Sequence, residues 1–573
     1  MAGDGDADGF EVDVRAFVRS FVRAYRYMDI SARRYALLVL LPSAALTLGV
    51  AAAVVALAPP LSIALPGVLL GVLPALGALA YPKIAADRKR REVREQFHLF
   101  LTHITVLSMT NIDRVEIFRT LAQVEEYGAL AEEMGRITAL VDTWNQSLDD
   151  ACRRRAKRVP SDLLADFLER LAYTVGAGQA LDDFLLDEQE SIIREFVIRY
   201  ESALAKLDVL KELYLSMMLS TTFILVFATV VPILLDVPPT LLITAVIVMF
   251  ALVQLAFVVV VHTVAPRDPV WLTPETHHSP AHRVRPALYA GVGLSLLAVV
   301  GVLVVGLGYT PLDPGRIPYP ISLAIPTTPL LLPGLAMRRE ERAVGERDAG
   351  FPSFIRALGG VESVKQTSSA NVLESLRRKD FGALTANVDD LYKRLRTRID
   401  TEQAWVFFAA ETGSYLIHKF GSMYVVGRRM GGEPRRLGQV ISANFNEVLR
   451  VREQRQQATT TLIGVIYGIT AASMFSSFLG LGIAEQMLDI TSRIAGQNDA
   501  FIQSLFSTGS YDIATMTVLL LLVVLLNALL SALMIRITDR GHFVSALTHF
   551  TLLTWTGALV AVATQRVVSG LIG

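Results

Sequence analysis

The sequence predicts an all-α integral membrane protein with about nine transmembrane helices and two homologous cytoplasmic helical bundles, arranged as a tandem parallel repeat. Three observations predict this fold class. The 573 residues are 52% hydrophobic and only 19% charged, and the apolar residues are gathered into runs long enough to cross a bilayer of about 30 Å. Two long polar segments lie between such runs, and both show helical periodicity. The second half of the chain also repeats the first.

Nine apolar runs are predicted to span the membrane. They lie at residues 35–58, 61–81, 215–235, 240–261, 287–309, 317–336, 459–484, 513–537 and 546–568. A charged segment precedes the first run and the second run follows almost at once, so we expect a retained span and not a cleaved signal peptide. Residues 1–34 are predicted to form an amphipathic helix that lies at the inner membrane surface or covers one of the bundles.

The distribution of positive charge predicts the orientation. Lysine and arginine concentrate on the cytoplasmic side of membrane proteins. They are frequent in the N-terminal segment and at the membrane edges of both polar segments, and the turns on the other side are nearly free of them. We therefore expect a multi-pass protein of the cytoplasmic membrane, with the N-terminus and both large domains inside and the C-terminus outside. The predicted domains are the N-terminal helix (1–34), spans 1–2 (35–81), bundle 1 (82–214), spans 3–4 (215–261), a cytoplasmic loop (262–286), spans 5–6 (287–336), bundle 2 (337–458) and spans 7–9 (459–568).

Each polar segment is predicted to be a bundle of amphipathic helices. Apolar residues share one helical face in each: Leu130, Met134, Ile137, Val141 and Trp144 in the first, and Val388, Leu391, Leu395 and Ile399 in the second. The last helix of each bundle, residues 191–214 and 437–459, is expected to run directly into the next span. Such a helix either carries movement from the bundle into the membrane or only anchors the bundle.

The repeat is visible as matching strings at a constant distance. The string FHLF at residues 97–100 matches FPSF 254 residues later, and Gly128-Ala-Leu matches Gly382-Ala-Leu at the same distance. Gly178 then aligns with Gly431 at a distance of 253 residues. The repeated unit is two spans, a bundle and two spans, with a ninth span added at the end. Because four spans is an even number, the two copies face the same way.

No motif for catalysis or for a cofactor is present in the sequence. There is no phosphate-binding loop G-x-x-x-x-G-K-[ST], no nucleophile turn G-x-S-x-G and no H-E-x-x-H pair. We therefore expect no enzyme activity, no catalytic residues and no cofactor. His277, His278 and His282 share a loop with His262, but the prolines in this loop and the lack of cysteine there disfavour a metal site.

Three strongly polar residues interrupt the apolar runs: Gln254, Asn527 and His549. Such residues often form hydrogen bonds between transmembrane helices. A transport path usually needs ionisable groups at membrane depth, and no Asp, Glu, Lys or Arg lies deep in any predicted span. Bonds between helices are the favoured prediction.

The two bundles differ in charge. Residues 82–214 contain 19 Lys and Arg against 24 Asp and Glu, a net charge of −5, and residues 338–455 contain 21 against 15, a net charge of +6. The basic bundle either presents a solvated face to anionic lipid headgroups or docks an acidic protein. Nucleic acid is disfavoured as a partner because no binding motif accompanies the charge. The candidate docking residues are Arg377, Arg378, Lys379, Arg394, Arg396, Arg398, Arg435 and Arg436, with Gly431 and Gly432 expected to form the turn that presents the last pair.

Both bundles resemble the paired domains of the type II secretion F family. Strings of the second copy are more specifically similar to archaeal-flagellum (archaellum) platform proteins of the FlaJ/ArlJ type. These strings are residues 351–366 (FPSFIRALGGVESVKQ), 375–384 (SLRRKDFGAL), 390–395 (DLYKRL), 424–432 (YVVGRRMGG) and 452–473 (REQRQQATTTLIGVIYGITAAS). The resemblance covers the chain from about residue 96 onward.

The resemblance implies a motor platform in the lipid bilayer. A cytoplasmic hexameric motor ATPase of the FlaI/ArlI type and its recA-like companion of the FlaH/ArlH type would dock beneath the membrane domain. Archaellin or pilin subunits with hydrophobic N-terminal helices would be inserted through the platform, and the paired repeats would form a homodimeric base. The remaining alternatives are the platform of an adhesion pilus or type II secretion-like system, a parallel-repeat transporter, and a membrane-bound enzyme, for which there is no motif.

Overall fold

The computed structural model describes residues 35, 40–45, 47–48, 90–159, 161–234, 239–272, 280–306, 318–365, 369–495 and 512–572. Over these residues the structure is helical, apart from turns and an antiparallel bridge between Trp271 and Ser414. The predicted all-α class is confirmed. The predicted N-terminal helix (1–34), nearly all of the first two predicted spans, and His277 and His278 lie outside the described residues.

The first of two compact units runs from Met1 to Glu190 and contains most of the acidic bundle. Its helices are α1 (90–108), α2 (Arg114–Ala122), α3 (Ala129–Trp144), α4 (Leu148–Ala156) and α5 (Asp162–Gly176). Helices α2 and α4 begin where the side chains of Asp113 and Ser147 accept hydrogen bonds from backbone N–H groups of the first turn. Such caps satisfy donors that have no partner within the helix.

The predicted apolar face of α3 is correct over its first three turns only. Leu130, Met134 and Ile137 are fully buried, Val141 is half-buried, and Trp144 is 71% exposed. The helix ends at Trp144, and the following residue, Asn145, adopts a left-handed conformation with φ of 48°. Trp144 therefore lies in the last turn, beyond the packed part of the helix.

Two buried side chains of the first unit, Glu133 and Cys152, carry groups that can ionise. The carboxylate of Glu133 accepts hydrogen bonds from Arg155 at 2.7 and 2.9 Å and also from Arg136, which offsets the cost of its burial. Burial raises the pKa of the Cys152 thiol to about 12, so this cysteine is a core residue with little thiolate character.

The second unit runs from Ser191 to Gly573 and contains the apolar helices and the basic bundle. Its helices are α6 (Leu181–Leu234, which begins in the first unit), α7 (Pro239–Val264), α8 (Pro280–Gly306), α9 (Tyr319–Ala324), α10 (Leu331–Lys365), α11 (Ser369–Leu376), α12 (Thr385–Arg396), α13 (Thr401–Thr412), α14 (Tyr415–Arg429), α15 (Pro434–Ala495), α16 (Ile513–Asp539) and α17 (Ala546–Ile572). Short 3-10 helices occur in this unit at Ile325–Leu330, Gly382–Leu384 and Phe543–Ser545, and in the first unit at Glu125–Tyr127.

Seven helical stretches of the described residues are long and apolar enough to cross a membrane. They are Leu181–Pro232, Leu242–Val264, Val284–Gly306, Tyr319–Val364, Pro434–Asp489, Ile513–Asp539 and Phe543–Gly570. Each of them contains most or all of one predicted span, from the third to the ninth in order. The protein is therefore a membrane protein, and the total of nine spans stays a prediction.

Helices α6 and α15 are continuous over 54 and 62 residues. At 1.5 Å per residue they are about 80 and 90 Å long, far more than the roughly 30 Å of a bilayer core. The prediction that the last helix of each bundle runs into the next span is confirmed. Since α6 has no glycine and its one proline is Pro232, near its end, nothing in its sequence interrupts the helix.

The sixth predicted span is broken, and it contains five prolines: Pro318, Pro320, Pro326, Pro329 and Pro333. A 3-10 segment, Ile325–Leu330, separates α9 from α10. Neighbouring helices bond to its polar groups: the hydroxyls of Ser295 and Thr551 donate to the carbonyl oxygens of Pro326 and Thr327 at 2.7 and 2.9 Å. Irregular backbone is tolerated at membrane depth only when protein groups satisfy it in this way.

Helices α10 and α15 cross at two glycines. A Cβ atom on Gly359 would lie 2.3 Å from the carbonyl oxygen of Pro434, and one on Gly438 would lie 2.8 Å from the carbonyl oxygen of Ile355. The two backbones are therefore in direct contact, and this close approach fixes the start of α15 against the basic bundle.

The helix boundaries of the two bundles follow the repeat distance. Helices α5 and α14 are both 15 residues long and begin 253 residues apart, at 162 and 415. Helices α6 and α15 also begin 253 residues apart, at 181 and 434. Left-handed glycines recur as well: the pair Gly128 and Gly382 has φ values of 50° and 62°, and the pair Gly178 and Gly431 has values of 73° and 86°.

Candidate functional site

The candidate docking residues all lie on the basic bundle, in three places. Arg377, Arg378 and Lys379 follow the end of α11; Arg394, Arg396 and Arg398 lie on α12 and in the turn after it; Arg435 and Arg436 lie in the first turn of α15. We call these eight cations the basic surface. Six of them are exposed, and Arg394 and Arg436 are half-buried.

Several members of the basic surface contact neighbouring groups, and Arg377 and Arg394 are held in ion pairs. Arg377 forms an ion pair with Asp389, and its guanidinium lies 4.6 Å from the centre of the Tyr392 ring. Hydrogen bonds from Lys393 and Arg377 hold the pKa of the Asp389 carboxyl below its usual range. Arg394 is paired with Glu411 with only 20% of its side chain exposed. Part of the positive charge counted in the sequence is therefore neutralised within the bundle.

The predicted glycine turn is present before Arg435. Gly431 is left-handed, its N–H donates to the carbonyl oxygen of Arg428 at 3.1 Å, and the N–H of Gly432 donates to that of Gly427 at 2.9 Å. Glycine occupies this conformation without the steric cost that a Cβ atom adds. The turn ends α14 and leads directly into α15, while the docking role of both glycines stays a prediction.

A buried group of charges lies beside the basic bundle and was not singled out from the sequence as a site. Arg452 of α15 donates two hydrogen bonds to the carboxylate of Asp268, at 2.6 and 2.8 Å, and one to Asp348 of α10 at 2.9 Å. Arg540, in the turn after α16, also pairs with Asp268. The side chains of Arg452 and Asp348 are 4% and 2% exposed.

Arg455, one helical turn after Arg452, binds backbone oxygens instead of a carboxylate. It donates to the carbonyl oxygens of Pro266, Ile537 and Thr538 at 2.7, 3.0 and 2.7 Å, and lies 3.3 Å from the hydroxyl of Tyr200. We call Asp268, Asp348, Arg452, Arg455 and Arg540 the Arg452 cluster. The cluster joins α15 to α10, to the segment after α7 and to the end of α16.

The segment after α7 is also tied to the basic bundle by its backbone. The N–H of Leu272 donates to the carbonyl oxygen of Gly413 at 3.1 Å, and the N–H of Tyr415 donates to that of Val270 at 3.0 Å. These bonds form the single bridge between Trp271 and Ser414. The hydroxyl of Ser414 in turn donates to Asp348.

The electrostatic balance favours the charged form at Asp268, whereas burial raises the pKa of the neighbouring Asp348 carboxyl. Burial by itself would raise the pKa of the Asp268 carboxyl, but the charges of Arg452 and Arg540 outweigh this and hold the pKa well below its usual range. A buried ion pair adds little stability compared with an apolar pair, but the loss of one partner leaves a buried charge uncompensated. The arrangement is therefore suited to hold several elements in one fixed geometry.

A sequence signal for this cluster existed. Arg452 and Arg455 are three residues apart on one helical face, directly before a long apolar run, and both belong to the string at residues 452–473. Asp268 lies in the loop with His262, and no local pattern connects it to these arginines. Among the described residues no group of three or more His, Cys, Asp or Glu is placed to hold a metal ion.

The polar residues of the apolar helices form the predicted bonds between helices. The amide nitrogen of Gln254 donates to the amide oxygen of Asn527 at 2.6 Å, and that of Asn527 donates to the hydroxyl of Thr470 at 2.9 Å. The hydroxyl of Tyr467 lies 3.1 Å from Nδ1 of His549. Helices α7, α15, α16 and α17 are connected in this way.

Comparison with known proteins agrees with the fold and with these helices. The family model described as type II secretion system (T2SS), protein F, matches residues 100–229. The long apolar helices and this match define a membrane protein that contains a type II secretion F domain.

Relatives over most of the chain give a closer assignment. The chain is 33% identical over 513 residues to flagella accessory protein J of Methanococcus voltae, which covers 89% of this chain and 91% of the relative. It is also 33% identical over 511 residues to flagella accessory protein J of Methanocaldococcus jannaschii, covering 88% and 90%. The chain therefore belongs to the flagella accessory protein J family. No solved structure matches it.

Proposed function

We propose that this chain is the membrane platform of an archaellum motor, which couples a cytoplasmic secretion-superfamily ATPase to archaellin insertion and to assembly or rotation of the filament. One observation carries the proposal. Helix α15 begins at the basic surface with Arg435 and Arg436 and continues to Ala495 as a single helix, through the seventh predicted span. A force applied at its start is therefore transmitted along the helix into the membrane.

The position of Arg435 and Arg436 supports a role in binding. Both lie in the first turn of α15, which contains no acidic residue. Cations at a helix N-terminus oppose the helix dipole by typically about 0.3–1 kcal/mol each. The exposed Arg435 at this position therefore reduces local stability, and an acidic partner would offset that cost.

The Arg452 cluster supports transmission beyond α15. Because Arg452 and Arg455 bind the segment after α7 and the end of α16, a displacement of α15 displaces these elements with it. Movement of the basic bundle would then reach the fourth and eighth predicted spans as well as the seventh. Archaellin subunits with hydrophobic N-terminal helices would be inserted among these spans.

The remaining parts of the proposal concern organisation and partners. Tandem parallel repeats are supported by the recurrence of helix starts and left-handed glycines at 253 or 254 residues. We further propose nine spans with the N-terminus and both bundles in the cytoplasm, a recA-like companion of the ATPase as a second partner, and a homodimer. In this proposal the chain is not an enzyme, and the ATPase supplies the chemistry. An adhesion-pilus or secretion platform is the nearest alternative.

The experiment is charge reversal at Arg435 and Arg436, both to glutamate, in the full-length protein in its native membrane. We expect co-purification of the motor ATPase and motility to be lost, while membrane insertion is kept. Since glutamate is favourable at a helix N-terminus, unfolding is not an expected cause of the loss.

The matched control is reversal of Arg153 and Arg154 to glutamate. This pair is exposed on α4 of the acidic bundle and lies outside the basic surface. Retention of the ATPase by the control and its loss from the Arg435 and Arg436 variant would support the proposal. Equal ATPase binding by wild type and both variants would refute docking at the start of α15.

A further inference from the structure

A cavity of about 410 Å³ opens on the basic bundle, in the second unit. Its volume is in the range of about 300–1,000 Å³ that is typical of pockets that bury most of a bound group. Four apolar lining residues are buried and come from four different helices: Leu358 of α10, Leu373 of α11, Trp405 of α13 and Val425 of α14. The bundle therefore keeps an apolar recess where these helices meet.

The walls of the cavity are held in place by fixed contacts. The buried carboxylate of Glu362 accepts hydrogen bonds from the hydroxyl of Tyr424 at 2.7 Å and from Arg428 at 3.1 Å. The ring of Trp405 packs edge-to-face on Phe408, with ring centres 5.3 Å apart. A pre-formed recess saves a partner the entropic cost of ordering the site.

The rim of the cavity is polar and exposed. Asp400, Thr401, Glu402 and Arg429 line it and are exposed, and Glu402 pairs with Arg429. The side chain of Asp400 accepts hydrogen bonds from the first N–H groups of α13. A buried apolar centre surrounded by polar groups is the usual layout of a protein–protein contact.

Two parts of the basic surface lie close to the cavity along the chain. Arg398 and Arg396 precede the lining residue Asp400 by two and four residues, so even an extended chain would place them within about 7 and 14 Å of it. On the other side, Gly431 follows the lining residue Arg429 by two residues and leads to Arg435. The lining residues thus adjoin both arginine-bearing turns along the chain.

We propose that this cavity is the anchor point of the docking surface: it takes one aromatic or leucine-like side chain that projects from the acidic face of the partner, while the arginines bind the carboxylates around it. The inference rests on the proposed function, because its partner is the same motor ATPase. A few buried apolar anchors carry most of the binding energy in protein interfaces, and rim charges mainly set encounter and orientation.

The chemistry of the cavity favours an apolar side chain over a small polar ligand. The one buried carboxylate, Glu362, already has each of its oxygens engaged by Tyr424 or Arg428. The other buried lining groups offer mainly carbon surface and the rings of Trp405 and Tyr424, and the one buried polar atom without a hydrogen-bond partner among the lining residues is Nε of the half-buried Arg428. A polar ligand would lose its hydration and gain few hydrogen bonds here.

The test fills the cavity from its exposed mouth with Thr401→Trp. Thr401 lies at the start of α13 and is exposed, so the added ring can enter the recess without displacing a buried residue. The matched control is Val406→Trp, because Val406 is 48% exposed on the same helix and does not line the cavity. Both variants and wild type are titrated, as full-length protein in detergent, with the purified motor ATPase.

We expect Thr401→Trp to weaken ATPase binding by about tenfold or more, as for the loss of an interface anchor, and Val406→Trp to leave it unchanged. A photo-crosslinking side chain at position 401, but not at 406, should also become attached to the ATPase. If Thr401→Trp binds as wild type and neither position crosslinks, the cavity is not the anchor, although docking on the arginines stands. If wild type itself does not bind the ATPase, the proposed function fails, and the cavity proposal fails with it.

Discussion

Replacement of Arg452 by methionine tests the buried charges most directly. The arginine shares its guanidinium between two carboxylates, with hydrogen bonds of 2.6 and 2.8 Å to Asp268 and 2.9 Å to Asp348. Methionine keeps a long flexible stem of similar shape and removes only the charge and the donors. Asp268 would still have Arg540 as a partner, but Asp348 would keep only the hydroxyl of Ser414.

The expected magnitude follows from the stranded carboxylate. Removal of one partner of a buried ion pair destabilises a protein by about 3–5 kcal/mol, because the remaining charge loses its bonded counter-ion and has little access to water. We expect the free energy of unfolding to fall by that amount. The segment after α7 should also become accessible to protease, because Arg452 additionally binds the carbonyl oxygen of Pro269 at 3.1 Å.

The assay compares variants by denaturant titration of the purified protein in one detergent, followed by helical circular dichroism. Arg450→Met is the matched control: Arg450 lies on the same helix, its side chain is 62% exposed, and its contact with Glu447 is 3.7 Å long. An exposed pair of this kind contributes about 0–1 kcal/mol. The double variant Arg452→Met with Asp348→Asn should recover part of the loss, since the stranded charge is then absent. Equal effects of Arg452→Met and Arg450→Met would refute the reasoning.

Two further predictions concern pH and packing. Because the pKa of Asp268 is held well below its ordinary value of 3.8, the stability that this carboxyl contributes is present above about pH 4 and is lost as the pH falls through the lowered value. Thermal melting below pH 4 should therefore decline more steeply in wild type than in Arg452→Met, and parallel curves would contradict this. Gly359→Ala places a methyl group 2.3 Å from the carbonyl oxygen of Pro434, so α15 must shift, at a cost of about 1–3 kcal/mol. Its melting temperature should fall, whereas Gly345→Ala on the same helix, where a Cβ atom meets nothing within 4 Å, should match wild type.

Much of the fold could be predicted because the signals are local. Apolar runs of the length of a bilayer are set by composition over about 20 residues, so seven of the nine predicted spans correspond to helices of the described residues. The break in the sixth span follows from its prolines, and the turn at Gly431 follows from its glycine pair. Each depends on residues that are close in sequence.

The candidate site was harder to predict from the sequence, because it depends on contacts between residues that are distant along the chain. Arg452 and Asp268 are 184 residues apart, so no periodicity or motif connects them. A charge count also treats every arginine alike. It does not reveal that Arg394 is paired with Glu411 and half-buried, while Arg435 is exposed at the start of α15. Trp144 shows the same limit of sequence-based prediction for an apolar residue. Its spacing from the other apolar residues of α3 is that of a core position, but the helix ends at Trp144 and the side chain is exposed.

The sequence by itself determined the helices, the apolar spans and the net charge of each bundle, because these are sums over neighbouring residues. The tertiary structure alone decided which charges face one another and which face solvent. The pairing depends on burial, because a carboxylate that is shielded from water needs a cation nearby. Asp268 contacts Arg452 and Arg540 only after three segments that are distant in sequence have packed together. The cavity at Trp405 arises in the same way, since four helices must meet before a recess exists between them.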